Sequence, residues 1–186
     1  MAAVLNYRLK KTVAMVGMMG AGKTAVGTAV ARILHVPFMD SDREIESAAN
    51  MSISEIFERD GEAFFREKET QVIERLLKTR RCILSTGGGA VLSERNRRII
   101  AESGVAVWLR ADLDLLWSRV RHKTTRPLLR TPSPRATLAQ LYESRVPEYA
   151  KAEIIVDAEP AFTVEDTAHR VIEALLTHPD VLETSR

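Results

Sequence analysis

The chain of 186 residues is notable first for what it has little of. It has one cysteine, Cys82, so no intramolecular disulfide can form. The apolar setting Cys82-Ile83-Leu84 marks a buried structural thiol, in keeping with a reducing compartment. The four histidines, His35, His122, His169 and His178, are scattered, with no pair at metal-ligand spacing, which argues against a structural zinc site. Neither sign of charge dominates. The 27 Lys and Arg against 25 Asp and Glu leave a net charge of +2, and nothing in that balance calls for nucleic acid or an anionic membrane. No apolar run approaches the ~18 residues of a membrane span. The opening MAAVLNYRLKK lacks the apolar stretch of a secretory signal, so a cytoplasmic protein is expected. The 45% hydrophobic and 28% charged residues match ordinary globular usage, and the length suits one domain, 1–186, with a real core.

What is present is an alternation of short apolar runs with amphipathic stretches. Strands are expected at 12–16, 36–39, 82–85, 105–109 and 154–156. Helical periodicity lies between them. Val26, Ala29, Val30, Ile33 and Leu34 recur on one helix face. Further helices are expected at 42–49, 52–59, 62–79, 93–102, 112–120, 138–149 and 164–176, with a break at Asp60-Gly61 and a Thr163/Asp166 capping box opening the last. Strands separated by helices imply a parallel sheet covered on both faces. The segment 121–135 is basic, carries three prolines and lacks periodicity, so it reads as a mobile surface segment.

Between the first strand and the first helix lies GMMGAGKT, Gly17 to Thr24, a match to G-x-x-x-x-G-K-[ST] in the strand–loop–helix context that the motif needs. Glycines let successive backbone N–H groups turn inward onto a phosphate, and the following helix adds its N-terminal dipole. Lys23 offers a compact positive charge to the β- and γ-phosphates, and Thr24 a hydroxyl to Mg²⁺. The stretch predicts a nucleoside triphosphate but says nothing of the acceptor.

The acceptor is read from the other strand ends, where ligands gather in open α/β sheets. The second strand runs into Met39-Asp40-Ser41-Asp42. Asp40 is a candidate for Mg²⁺ and Asp42 for accepting a hydroxyl proton. Capping of the next helix by Ser41 or Asp42 is the plainer alternative. After the third strand come Gly87, Gly88 and Gly89, where a ligand can approach the backbone, unless they form a merely flexible loop. Arg66, with Glu69 three residues on, reads locally as a surface ion pair worth a few tenths of a kcal/mol. Arg145 reads as an ordinary helix arginine. Six basic residues, Arg119, Arg121, Lys123, Arg126, Arg130 and Arg135, fit either a solvated face or a lid over the phosphates.

The ordered set GMMGAGKT, MDSD at 39–42, IFERDGEAFFRE at 56–67, STGGGAV at 85–91, RPLL at 126–129 and SRVPEY at 144–149 resembles shikimate kinase over roughly 12–176. The resemblance implies a three-layer α/β/α P-loop kinase with a five-stranded parallel sheet, strand order 2-3-1-4-5, and a mobile lid at about 121–135. It implies a monomer using ATP and Mg²⁺ to phosphorylate the 3-hydroxyl of shikimate in the chorismate route to aromatic amino acids. By motif position Lys23, Asp42 and Arg126 would be catalytic. Gly20, Ala21, Gly22, Lys23, Thr24, Ala25, Arg119 and Arg126 would bind ATP, and 157–160 would flank adenine. Asp42, Arg66, Gly87, Gly88, Gly89 and Arg145 would bind shikimate, with the two arginines on its carboxylate. Phe57 and Phe65 would wall that pocket, and Thr24 and Asp40 would serve the metal. Another small-molecule kinase of the same fold, such as a gluconate kinase, is the rival. Residues 1–10 and 178–186 carry no readable motif.

Overall fold

The computed structural model describes residues 6–123 and 126–185. Five strands form one parallel sheet: β2 (Thr12–Val16), β3 (Phe38–Asp40), β4 (Ile83–Ser85), β5 (Gly104–Arg110) and β6 (Ile154–Asp157). Their spatial order is β3-β4-β2-β5-β6, which is 2-3-1-4-5 when the five are counted along the chain, as expected. Every residue of β2 and β4 is buried, so both faces of the sheet are covered. One helical group joins α1 (Lys23–Leu34) to α8 (Val164–Leu176). The other joins α4 (Glu62–Thr79) to α5 (Glu94–Ser103), which packs on β5. The short helices α2 (Ser41–Ala49) and α3 (Ile53–Asp60) pack on α4.

Local chemistry accounts for the boundaries. Ser52 and Glu55 form a full capping box at the start of α3, and Thr163 and Asp166 do the same for α8. α1 stops where His35 adopts a left-handed conformation, its N–H donating back to Ala31 and Arg32 carbonyls. α6 (Leu113–Val120) is capped by Asp112. The thiol of Cys82 is buried, and burial pushes its pKa up, as suits an inert core residue.

Three differences from the sequence expectation have physical causes. α7 (Pro134–Tyr149) starts at Pro134, not at 138. Proline is well suited to the first helical turn, where its missing N–H costs nothing. The segment 121–135 contains a 3₁₀ turn, Pro127–Leu129, with Leu129 buried, and its last two residues belong to α7. Thr124 and Thr125 of that segment lie outside the described residues. The termini also form an element of their own. β1 (Asn6–Leu9) pairs antiparallel with β7 (Leu182–Ser185), and the Lys11–Asp180 and Lys10–Glu183 ion pairs flank the ribbon. Neither strand can be recognised alone, because each finds its partner only at the far end of the chain.

The tightest backbone approach lies at the centre of the sheet. A Cβ on Gly104 would sit 2.5 Å from the Thr12 carbonyl oxygen, on the neighbouring strand. A fixed backbone oxygen cannot yield as a side chain can. Gly104→Ala is therefore expected to cost about 1–3 kcal/mol, as overpacking does, read as a lower midpoint in urea unfolding. An unchanged midpoint would show that β2 and β5 can separate without penalty.

Candidate active site

β2 ends at Val16 and α1 begins at Lys23, and the six residues between them wrap a cavity. Gly20 and Gly22 have φ of +83° and +98°, backbone that side-chain-bearing residues rarely adopt. The Lys23 ammonium is folded back under this loop, donating to the carbonyls of Gly17 (2.6 Å) and Met18 (3.0 Å). Burial, with the charge of Arg126 second, pushes its pKa down to about 8. Arg119 reaches across from α6 and donates to the carbonyls of Gly20 (3.0 Å) and Ala21 (3.1 Å). It thus braces the outer side of the loop.

A cleft of about 540 Å³ runs along the loop. Gly20, Ala21, Gly22, Lys23, Thr24 and Ala25 form one wall, with Asp40, Asp42, Gly87 and Gly88 at one end. Arg119, Lys123 and Arg126 lie above. The Arg126 guanidinium has its Nε buried with no hydrogen-bond partner among the described residues. Phe162, Thr163 and Thr167 also line the cleft. Their local sequence has only a helix-cap signal, so no motif reading marks them. The expected adenine flank at 157–160 contributes Ala158 to the wall, while Asp157 is engaged by Arg110 in a bidentate ion pair.

The cap of α2 is Asp40, not Ser41 or Asp42. Its Oδ1 accepts from the N–H groups of Asp42 (2.9 Å) and Arg43 (3.2 Å). Asp42 is thereby free of capping, and its Oδ1 is buried with no partner. Burial, and next the neighbouring Asp40, raise its pKa, and the proximity of Lys23 does not cancel the rise.

Beyond the cleft, each of the three glycines meets a different charged group. A Cβ on Gly87 would lie 2.9 Å from Asp42 Oδ1 and 3.1 Å from Glu69 Oε2. On Gly88 it would lie 2.9 Å from an Arg145 nitrogen, and on Gly89 2.5 Å from an Arg66 nitrogen. Arg66, Gly89 and Arg145 therefore do not line the cleft itself. They pack on the glycine turn that closes its end. Arg145 is only 6% exposed. Phe57 and Phe65 stack at 4.8 Å between centroids, with the Arg66 guanidinium 5.2 Å from the Phe65 ring.

The Arg66–Glu69 pair is not the surface pair that its spacing suggests. Arg66 Nη1 donates to Glu69 Oε1 at 2.9 Å, but the Glu69 side chain is only 1% exposed, and its second oxygen has no partner. Helical spacing places the two side chains side by side; only the tertiary fold covers one of them. Burial raises the Glu69 pKa, Arg66 opposes the rise and Asp42 adds to it. Two poorly solvated carboxylates thus share the space beside Gly87.

A carboxyl whose folded pKa is raised loses stabilising influence as pH climbs from its ordinary value of 3.8 through the folded value. Asp42→Asn removes that penalty. The variant is expected to melt at a higher temperature than the wild type at pH 7.5, with the gap narrowing toward pH 4. Scanning fluorimetry at both pH values checks this, and a lower melting temperature at pH 7.5 would contradict it.

The shikimate kinase family model matches residues 19–176. The shikimate kinase of Cereibacter sphaeroides is 68% identical over 177 residues, covering 95% of this chain and 88% of that protein. The structure of shikimate kinase from Acinetobacter baumannii in complex with shikimate superposes with a TM-score of 0.85 at 34% identity, covering 90% of this chain and 93% of that one. A gluconokinase from Sinorhizobium meliloti shares the fold, at a TM-score of 0.62, but only 18% identity, over 91% of this chain and 94% of that one. On sequence and on structure together, the chain belongs to the shikimate kinase family.

Proposed function

We propose that this protein transfers the γ-phosphate of ATP to the 3-hydroxyl of shikimate, giving shikimate 3-phosphate and ADP in the chorismate route to aromatic amino acids. The observation that carries the reading is the junction of a P-loop cleft with a glycine turn bearing one carboxylate pair and two guanidiniums. The cleft suits a nucleotide polyphosphate. The turn suits a small acid with several hydroxyls. Gluconate is also such an acid, but the gluconokinase likeness extends only to the fold.

In this reading the N–H groups of residues 20–25 cradle the phosphates, and Lys23 leaves its carbonyls to meet them. Arg126, whose Nε is buried without a partner in the cleft, neutralises charge on the transferring group. Arg119 stands on the nucleoside side. Arg66 and Arg145 take the carboxylate of shikimate, a job that suits planar forks. Gly87, Gly88 and Gly89 let it lie close to the backbone. Asp42, whose proton affinity is raised by burial, receives the proton of the 3-hydroxyl as that oxygen bonds to the γ-phosphorus and the bond to the ADP oxygen breaks. No phosphoenzyme forms. The transition state is loose, so positioning and charge outweigh the base.

Thr24 and Asp40 fit Mg²⁺: both line the cleft, and both offer hard oxygen donors. Bound there, the ion would neutralise charge between the phosphates. The rest of the reading is a single domain over 1–186, a monomer, and a cytoplasmic location. Among the described residues no helix is long and apolar enough to cross a membrane. The segment 121–135, with Lys123 and Arg126 on the cleft wall, serves as the lid that keeps water from the γ-phosphate.

Coupled ADP release with Mg-ATP, run with shikimate, gluconate, AMP or no acceptor, tests the function. Turnover is expected with shikimate alone, and Arg126→Ala should lower its kcat about 10³-fold or more. Turnover with gluconate or AMP in place of shikimate would overturn the acceptor.

The lowered pKa of Lys23 yields a second test. Free protein above about pH 8 holds Lys23 largely neutral, whereas bound polyphosphate favours the ammonium. ATP binding at pH 8.5 should therefore take up about three-quarters of a proton. Affinity should fall as pH rises above about 8, approaching tenfold per unit. Titration calorimetry in two buffers of different ionisation enthalpy reads the uptake, which Lys23→Met should abolish. Equal heats for the wild type in both buffers would refute the assignment.

A further inference from the structure

The two guanidiniums of the proposed acceptor site sit on different helices, Arg66 on α4 and Arg145 on α7. What sets their separation is therefore a structural question in its own right. Both helices pack against the same short element, the 3₁₀ turn Ala90–Leu92 that continues the glycine turn. The Ala90 N–H donates to the Gly87 carbonyl (3.0 Å) and the Leu92 N–H to the Gly89 carbonyl (3.2 Å). Anything that holds this turn to α4 and to α7 holds the glycines to both arginines.

Two consecutive residues of α5 do this. Asn96 is 1% exposed. Its amide Nδ2 donates to the Ala90 carbonyl (2.8 Å), and its Oδ1 lies 2.7 Å from the Thr70 hydroxyl on α4. That hydroxyl is also 3.1 Å from the Arg66 carbonyl, so it joins the backbone of Arg66 to Asn96. Arg97 works in the other direction. Its Nη1 donates to the carbonyls of Val91 (2.6 Å) and Leu92 (3.1 Å), and the same nitrogen lies 2.8 Å from Glu148 Oε2 on α7. Glu148 stands one turn beyond Arg145. Between them the side chain of Tyr149 closes the loop, donating from its buried hydroxyl to the Gly88 carbonyl at 2.5 Å. Ser93 caps α5 through the N–H of Asn96, which fixes the helix start at the place where both side chains can reach.

We infer that Asn96 and Arg97 are positioning residues: they staple α4 and α7 to the glycine turn, set the distance between Arg66 and Arg145, and so set the affinity for the acceptor's carboxylate. The inference rests on the proposed roles of Arg66 and Arg145. Neither Asn96 nor Arg97 lines the nucleotide cleft. Loss of the staple therefore acts on the acceptor and not on ATP. Charge-assisted bonds to a partly covered guanidinium are the stronger kind, and Arg97 is 22% exposed at its side chain. Its replacement removes a tie while leaving the core intact.

The experiment is steady-state kinetics on Arg97→Gln, Glu148→Gln and the double variant, with melting temperatures alongside. Arg97→Gln is expected to raise the KM for shikimate about tenfold, with kcat and the KM for ATP within twofold of the wild type. Glu148→Gln, which also frees Lys151 (2.8 Å from the same oxygen), should move the same constant in the same direction, and the double variant should be little worse than Arg97→Gln, because both break the Arg97–Glu148 link. Arg97→Lys, which keeps the charge facing Glu148, should recover most of the shikimate affinity. A purely structural role would instead lower the melting temperature and the active fraction while leaving the KM for shikimate unchanged, and that result would overturn the staple. Should Arg97→Gln fail to fold, Glu148→Gln alone decides the matter from the α7 side. A wild-type protein that does not phosphorylate shikimate would overturn the functional reading instead, so the two failures are distinguishable.

Discussion

The structure turns on the absence of three Cβ atoms. Gly87, Gly88 and Gly89 leave room for an Asp–Glu carboxylate pair, an arginine from α7 and an arginine from α4 to close on three adjacent residues. With any side chain at these positions the tips of the charged groups would have to draw back from the turn. Burying charges is costly unless they are mutually compensated, and here compensation is incomplete. Arg66 neutralises one oxygen of Glu69 while the other oxygen, and one of Asp42, stay without partners. A site of that kind is held in place by the rest of the fold.

The sheet supplies the frame. Parallel strands bring their carboxyl ends to one side, so the P-loop after β2, Asp40 and Asp42 after β3 and the glycine turn after β4 open on a common edge. The order β3-β4-β2 makes these three loops neighbours although they are distant in sequence. The register is tight enough at Gly104, at the start of β5, to leave no room for a methyl group. α5 then serves two purposes. Its inner face packs on β5, while Asn96 and Arg97 in its first turns reach the glycine turn and its two helical neighbours.

Electrostatics separates what is good for stability from what is good for binding. Lys23 is held under the loop at a pKa of about 8. Asp42 and Glu69 are pushed up by burial. Each of these groups is less favourably solvated than it would be at the surface, and two of them, Lys23 and Asp42, line the cleft. This is the arrangement expected where a functional site carries strain that the surrounding core must support.

Much of this was legible in the sequence because it is locally encoded. Short apolar runs marked the five strands, and period-3.6 patterning marked most helices. The Thr163/Asp166 box marked the start of α8. The motif order 17–24, 39–42, 56–67, 85–91, 126–129 and 144–149 marked the family. What was misjudged depends on the tertiary structure. Glu69 looked like half of a surface pair because helical spacing reports which side chains are neighbours, not which face is covered. The cap of α2 fell to Asp40 because backbone direction at the end of β3, not residue type, decides which carboxylate turns back. The β1–β7 ribbon was invisible because its partners lie at opposite ends of the chain. The sequence by itself determined the elements, their order and the chemical groups at their ends, since those depend on residues a few positions apart. The tertiary structure alone decided which charges are buried, which glycine each guanidinium meets, and how Asn96 and Arg97 tie two helices to one turn. Burial and long-range contact depend on topology, which brings residues such as Tyr149 and Gly88, 61 positions apart, within a hydrogen bond of each other.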